Sequence, residues 1–100
     1  MLFAVTRARG PNWDFKRPMR DQDGWEVHAR FMDDLAARGV VALGGPLEDD
    51  SVLLILRATD AVGARAALEP DPWHAMGLLE IVSVRRWMVL LASSRLEDWQ

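Results

Sequence analysis

The sequence predicts an α+β fold in which one face of a four-stranded antiparallel sheet carries two helices. Two observations support this prediction. Apolar segments follow the order strand, helix, strand, strand, helix, strand along the chain. This order is that of the ferredoxin-like βαββαβ arrangement. The chain has 100 residues, 50% of them hydrophobic, which suffices for the core of a single domain. We expect residues 1–90 to form that core and residues 91–100 a polar tail.

The first half of the chain contains a strand, a long loop and a helix. "MLFAVTRA" is an apolar strand that ends at Gly10. Residues 10–24 are polar and hold two prolines and two glycines, which predicts an irregular loop of unusual length. "WEVHARFMDDLAARG" is a helix that ends at Gly39. Its inward face is predicted from apolar spacing to contain Val27, Phe31, Met32 and Leu35.

The second half begins with a hairpin and a short helix. "VVALGGPL" and "SVLLILRA" are apolar strands that flank the acidic turn "EDD". Thr59 or Asp60 caps a helix that runs to about Leu68 and is ended by Pro70. "LLEIVSVRRWMVLL" is the last strand, and Trp99 in the tail after it is expected to dock on the domain.

The other face of the sheet lacks a predicted cover. Both helices occupy one face, so the opposite face would expose more apolar surface than a soluble monomer normally tolerates. We expect a second copy of the chain to cover it, which makes a dimeric α+β barrel. The interface would bury apolar side chains within residues 2–8, 52–58 and 81–87.

Composition excludes several classes of function. The chain has no cysteine, so thiolate chemistry and disulfides are excluded. The net charge of −3 favours neither nucleic acid nor an anionic membrane, and "VLLILRA" offers no aromatic side chain on which RNA bases could stack. No apolar run approaches the roughly 20 residues of a membrane span, and "MLFAVTRARG" does not resemble a signal peptide. We expect a soluble, cytoplasmic protein.

His28 is the first candidate for chemistry. At 100° per residue it lies within the apolar arc of its helix, so its side chain is predicted to point inward. A neutral inward histidine can accept a proton near neutral pH. The alternative is a core histidine that bonds one backbone carbonyl.

Asp71 is the second candidate. In "DPWHAMG" it has the form of a helix N-cap, with Pro72 at the first helical position and Gly77 past the end. Capping by itself explains this aspartate. His74 is nearby, but two histidines without ligand spacing do not indicate a metal site.

Basic residues cluster in the first strand and the loop after it. Five basic residues stand there against one acidic residue, a local charge of +4: Arg7, Arg9, Lys16, Arg17, Arg20 and Asp14. Arginines beside aromatic residues suit an anionic or aromatic small molecule. The alternative is a solvated loop whose arginines pair with nearby acids, namely Asp21, Asp23 and Glu48 to Asp50.

From this cluster we predict a ligand-binding lid. The loop 10–24 packs over a cleft near His28, with Trp13 as its apolar anchor and Arg17 or Arg20 directed at the ligand. Trp73, next to the Asp71 cap region, is expected to contribute a second aromatic contact.

Two stretches resemble signatures of the YCII-related family. "HARFMDDLAARGVVALGGPL" resembles its helix-to-strand signature, and "DPWHAMGLLEIVSVRRW" its second signature. The resemblance implies a dimeric α+β barrel like that of muconolactone-isomerase-like proteins. It also implies a His-Asp site, which carries over to His28 and Asp71. The chain departs from some members at Trp25, where they have an arginine before the histidine.

Two classes of function follow from these observations. The first is a small cofactor-free enzyme, with no metal, that does acid/base chemistry of lyase or isomerase type. Its substrate would be a small cyclic or aromatic, possibly anionic, compound, with His28 as general base oriented by Asp71. The alternative is a non-catalytic dimer that binds a small molecule or serves as an interaction module. An enzyme requires both side chains within hydrogen-bond reach at an opening.

Overall fold

A computed structural model describes residues 1–99 of the chain. Its strands form one antiparallel sheet in the order β2-β3-β1-β4, and this confirms the ferredoxin-like prediction. A short third helix precedes the last strand. The elements are β1 (Leu2–Arg9), α1 (Trp25–Ala37), β2 (Val41–Pro46), β3 (Val52–Arg57), α2 (Ala61–Leu68), α3 (Pro72–Ala75) and β4 (Leu79–Trp87). Single 3-10 turns lie at Met19–Asp21 and Leu96–Trp99. None of the described helices is long and apolar enough to cross a membrane.

Side-chain caps begin the two helices of the second half. The carboxylate of Asp60 accepts a hydrogen bond from the backbone N–H of Gly63 at 2.7 Å and caps α2. The carboxylate of Asp71 accepts one from the backbone N–H of Trp73 at 2.9 Å and caps α3. After α3 the chain turns at Gly77, whose φ of 71° is a left-handed conformation that suits glycine. Both predicted caps are therefore present.

The core lies between the sheet and the helices, and it corrects the predicted face of α1. Val27 is 51% exposed, whereas His28 and Leu35 are buried and Met32 packs against the core. The buried face of α1 therefore begins at His28 and not at Val27. Adjacent helical side chains point 100° apart, so Val27 faces solvent although His28 is buried. The core side chains are Phe3, Val5, Leu35, Val41, Leu54, Leu56, Ala64 and Leu68.

The helix-free face of the sheet is partly covered by the chain itself. Leu2 and Ile55 lie on this face and are each 2% exposed. The C-terminal turn contacts β3, where Arg57 Nη2 donates to the carbonyl of Asp98 at 3.2 Å. β4 ends at Trp87, so the predicted strand extends four residues too far at its C-terminal end, and the apolar segment 88–91 that follows β4 is largely exposed.

Candidate active site

The carboxylate of Asp71 is the centre of a buried hydrogen-bond cluster. Asp71 is 1% exposed. Its Oδ2 lies 2.8 Å from His28 Nδ1 and accepts a hydrogen bond from Arg7 Nη1 at 2.8 Å. Its Oδ1 accepts the backbone N–H of Trp73. An ionised carboxylate only accepts hydrogen bonds, so Nδ1 carries a proton, and the lone pair of the corresponding neutral tautomer is on Nε2. The residue therefore caps α3 and orients His28 at the same time.

Asp71 is ionised despite its burial. Burial raises the pKa of its carboxyl, but hydrogen bonds from His28, from the backbone of Trp73 and from Arg7 lower it by more. The pKa consequently lies below its ordinary value of 3.8. At neutral pH the cluster contains a fixed negative charge next to the imidazole.

Packing holds the imidazole of His28 in one plane. His28 lies in the first turn of α1, where its N–H donates to the carbonyl of Gly24 at 3.0 Å. Its ring stacks on the indole of Trp73 with centroids 3.9 Å apart and planes 6° from parallel. The Trp73 indole is itself anchored, because its Nε1 donates to the carbonyl of Asp23 at 2.7 Å. The orientation of the ring is thus set by the carboxylate of Asp71 and by the stacking contact with Trp73.

A cavity of about 250 Å³ lies against this cluster. His28 and Arg7 line it, together with three tryptophans, Trp13, Trp25 and Trp73. Nε2 of His28 makes no hydrogen bond within residues 1–99. The volume is just below the range of about 300–1,000 Å³ typical of sites for drug-sized ligands. The cavity therefore suits a single ring whose flat faces contact aromatic walls.

The loop 10–24 reaches this cavity, but not through the predicted arginines. Trp13 is buried, lines the cavity and contacts the edge of Trp73 with centroids 5.5 Å apart. Arg17 instead pairs with Asp14 at 2.9 Å and with a second loop aspartate at 3.2 Å. Arg20 is exposed beside Trp25. Contrary to the prediction, neither arginine lines the cavity, because the acids of the loop and a surface aromatic hold them outside.

Two arginines of β1 line the cavity instead. Arg7 is 2% exposed and follows Phe3 and Val5 on the inward face of the strand. The signal in the sequence is an arginine at an inward position of a period-2 apolar strand. Arg9 lies at the rim, with its guanidinium 4.5 Å from the Trp13 ring centroid and 3.2 Å from Asp50.

The described residues contain no group of three or more His, Asp or Glu side chains that could hold a metal ion. The ionisable side chains that line the cavity are His28, Arg7, Arg9 and Asp50.

Comparison with known proteins places this site in context. The structure is similar to that of 5-chloro-2-hydroxyhydroquinone dehydrochlorinase (TftG) from Burkholderia phenoliruptrix AC1100, solved in complex with 2,5-dihydroxybenzoquinone. The two share 26% sequence identity with a TM-score of 0.66, over 88% of this chain and 94% of the other. No curated protein sequence matches the chain. Residues 1–88 match the YCII-related domain, and the chain accordingly belongs to the YCII-related family.

Proposed function

We propose that this protein is an enzyme for small molecules that does acid/base chemistry of lyase or isomerase type. One observation carries the proposal: His28 lines an aromatic cavity while a buried carboxylate holds its Nδ1–H. A base oriented by a third group is the arrangement that proton-transfer sites require. A histidine with a purely structural role has no need of a cavity beside its second nitrogen.

The proposed step moves one proton. Nε2 of His28 accepts a proton from an acidic O–H or C–H of the ligand, and the electron pair of the broken bond stays on the ligand. The hydrogen bond to Asp71 then becomes an ion pair, which stabilises the imidazolium. Return of the proton to another atom completes an isomerisation, and departure of a leaving group with its electron pair completes an elimination. Such general base catalysis contributes about 10²–10⁴-fold in rate.

The proposed substrate is a hydroxylated six-membered ring. The similar protein from Burkholderia phenoliruptrix acts on a chlorinated hydroxyhydroquinone, and its structure holds a dihydroxybenzoquinone. A single ring fits a cavity of about 250 Å³, and Trp13 and Trp25 supply aromatic walls for it. Ring hydroxyls also provide an acidic proton within a small molecule.

Binding without turnover is the alternative function. The same aromatic walls would hold a ring whether or not His28 takes up a proton. The two functions differ in two respects: only the enzyme converts its ligand, and only the enzyme depends on the basic nitrogen of His28.

The test is an activity assay with a matched pair of histidine variants. The purified protein is incubated with chlorinated and halogen-free hydroxyhydroquinones, while chloride release and quinone absorbance are recorded. We expect His28→Gln to lower kcat/KM at least about 100-fold. His74→Gln is the control, because His74 is exposed and lies outside the cavity, and it should match wild type. Binding without conversion, or full activity in His28→Gln, would favour the binding module.

We also propose that the protein is a homodimer joined through the helix-free face of the sheet. Val82 and Trp87 on β4 are 63% and 46% exposed, and the apolar segment 88–91 extends this surface. Light scattering at micromolar concentration should give twice the mass of the chain. Val82→Glu should lower that mass to the monomer, while Val62→Glu on α2, 77% exposed, should leave the dimer intact. A monomer mass for the wild type contradicts the proposal.

A further inference from the structure

The guanidinium of Arg7 has hydrogen-bond donors that the protein does not use. Its side chain is 3% exposed. Nη1 donates to Asp71 at 2.8 Å, and Nη2 contacts only the sulfur of Met32 at 3.6 Å. Nε is buried and has no partner within residues 1–99. A guanidinium carries five N–H donors, so most of its donor capacity is unmatched or weakly matched.

Such a group is costly in a folded protein. Buried polar atoms nearly always have a hydrogen-bond partner, and a buried donor left without one costs free energy. A thioether sulfur is only a weak acceptor. Because Arg7 lines the cavity, an oxygen atom of a ligand can supply the acceptor that the protein lacks.

Arg7 and His28 belong to one unit. Arg7 Nη1 and His28 Nδ1 both lie 2.8 Å from the same oxygen, Oδ2 of Asp71. These two nitrogen atoms are therefore no further apart than twice that distance. Both side chains line the same cavity, so a single-ring ligand can contact both of them.

Proton transfer to His28 would create a pair of new charges in this site. The cluster is neutral beforehand, since Arg7 offsets Asp71. Afterwards the imidazolium pairs with Asp71, and the ligand carries a new negative charge on oxygen. In an apolar cavity that anion needs a hydrogen-bonded cation. Arg9 is partly exposed and paired with Asp50, whereas Arg7 is buried and shares Asp71 with His28, which favours Arg7 as the cation for this anion.

We propose that Arg7 binds the oxygen of the ligand that becomes negative, a phenolate or enolate oxygen, when His28 accepts the proton. The inference rests on the proposed function and defines its substrate class as rings with an ionisable hydroxyl. The O–H bond breaks, its electron pair stays on oxygen, and the proton forms a bond to Nε2. Arg7 keeps its own protons throughout and donates hydrogen bonds to the anion.

The test is equilibrium binding of 4-nitrophenol, because its absorbance distinguishes the phenol from the phenolate. Its methyl ether 4-nitroanisole, which is neutral and has no ionisable hydroxyl, reports binding of the ring without the charge. We expect the wild type to bind the phenolate at least about tenfold more tightly than nitroanisole, which corresponds to about 1.4 kcal/mol. In Arg7→Met and Arg7→Lys the phenolate should lose about 10–100-fold in affinity.

The control variant is Arg57→Met, on the neighbouring strand β3. Arg57 is exposed and bonds only backbone carbonyls among the residues described, so its loss should leave nitrophenolate binding unchanged. Arg7→Lys retains a buried cation in case Arg7→Met does not fold. If neither variant folds, the ratio of phenolate to nitroanisole affinity in the wild type decides.

The proposal is overturned if the wild type binds no phenolate, or binds it no more tightly than nitroanisole. It is also overturned if folded Arg7 variants keep the preference. The proposed function can fail separately, because the binding assay needs no turnover. If no ring compound is converted while the phenolate preference still depends on Arg7, the enzyme is excluded and the anion-binding residue remains.

Discussion

Replacing Asp71 by asparagine separates the two tasks of this residue. Asparagine is as good an N-cap as aspartate, and its side-chain oxygen can still accept the backbone N–H of Trp73. Its NH₂ group, however, takes the place of the oxygen that accepts the hydrogen bond from Arg7. An NH₂ group cannot accept from Arg7, so Asp71→Asn preserves the start of α3 and breaks the buried ion pair.

The structure predicts a large loss of stability. The side chains of Arg7 and Asp71 are 3% and 0% exposed, so their pair is a buried one. Breaking a buried pair by removing one partner costs about 3–5 kcal/mol, out of a total of about 5–15 kcal/mol for a domain. Each kcal/mol corresponds to about 4–8 °C in Tm at this size, so we expect Tm to fall by at least about 12 °C.

Asp60→Asn is the matched control in this experiment. Asp60 caps α2 with the same type of bond, at 2.7 Å to the backbone N–H of Gly63, but it is exposed and forms no ion pair among the described residues. Urea unfolding of both variants should show a change within about 0.5 kcal/mol for Asp60→Asn. A loss below about 1 kcal/mol in Asp71→Asn would refute the importance of the buried pair.

The stability difference between the wild type and Asp71→Asn should depend on pH. The pKa of Asp71 is lower in the folded chain than its ordinary value of 3.8, so the unfolded chain binds more protons between the two values. Wild-type stability from this group is therefore complete above about pH 5 and is lost as the pH falls through the folded pKa. Asparagine does not titrate, so the difference between the two proteins should narrow on acidification. A constant difference from pH 7 to pH 3 would contradict this assignment.

Activity should fall in Asp71→Asn as well, even where the protein is folded. His28 Nδ1 also lies 2.9 Å from Oδ1 of Asp71, which can still accept its proton, but a neutral amide does not stabilise an imidazolium as the carboxylate does. Proton transfer from the ligand to Nε2 would therefore be less favourable. Asp71 variants lose stability because the buried pair with Arg7 is broken, whether or not His28 is catalytic. They alone cannot separate a catalytic His28–Asp71 pair from a structural one, and His28→Gln is the cleaner test.

Two further predictions concern the entrance of the cavity and the loop beside it. Asp50→Asn should change the free energy of unfolding by less than about 1 kcal/mol, because the pair of Asp50 with Arg9 is partly exposed. The substitution should also tighten the binding of anionic ring compounds, and unchanged affinity in a titration would contradict this. Gly10→Ala should lower the free energy of unfolding in urea by about 1–3 kcal/mol, because its Cβ would meet the carbonyl oxygen of Gly77. Gly45→Ala, where a Cβ has open space, should cost less. Equal losses in the two variants would contradict the close packing of Gly10 against Gly77.

Local patterns determined most of the fold. The spacing of apolar residues, the caps at Asp60 and Asp71 and the turn at Gly77 are short-range features, so the sequence predicts them directly. The same patterns misplaced the edge of the α1 face at Val27, and they extended β4 through "MVLL". An apolar residue next to a periodic segment is read as part of the buried helix face or of the strand. Only the packing of the folded chain shows which of these apolar residues remain exposed.

The candidate site shows where local information ends. The sequence by itself determined that His28 points inward and that Asp71 starts a helix, because periodicity and capping depend on neighbouring residues. Only the tertiary structure decided which cations meet that carboxylate. Arg17 pairs with acids of its own loop, whereas Arg7 contacts Asp71, which lies 64 positions away in the sequence. Such a contact depends on how β1 and the α3 cap meet beneath α1, and no spacing within a single segment encodes that distance.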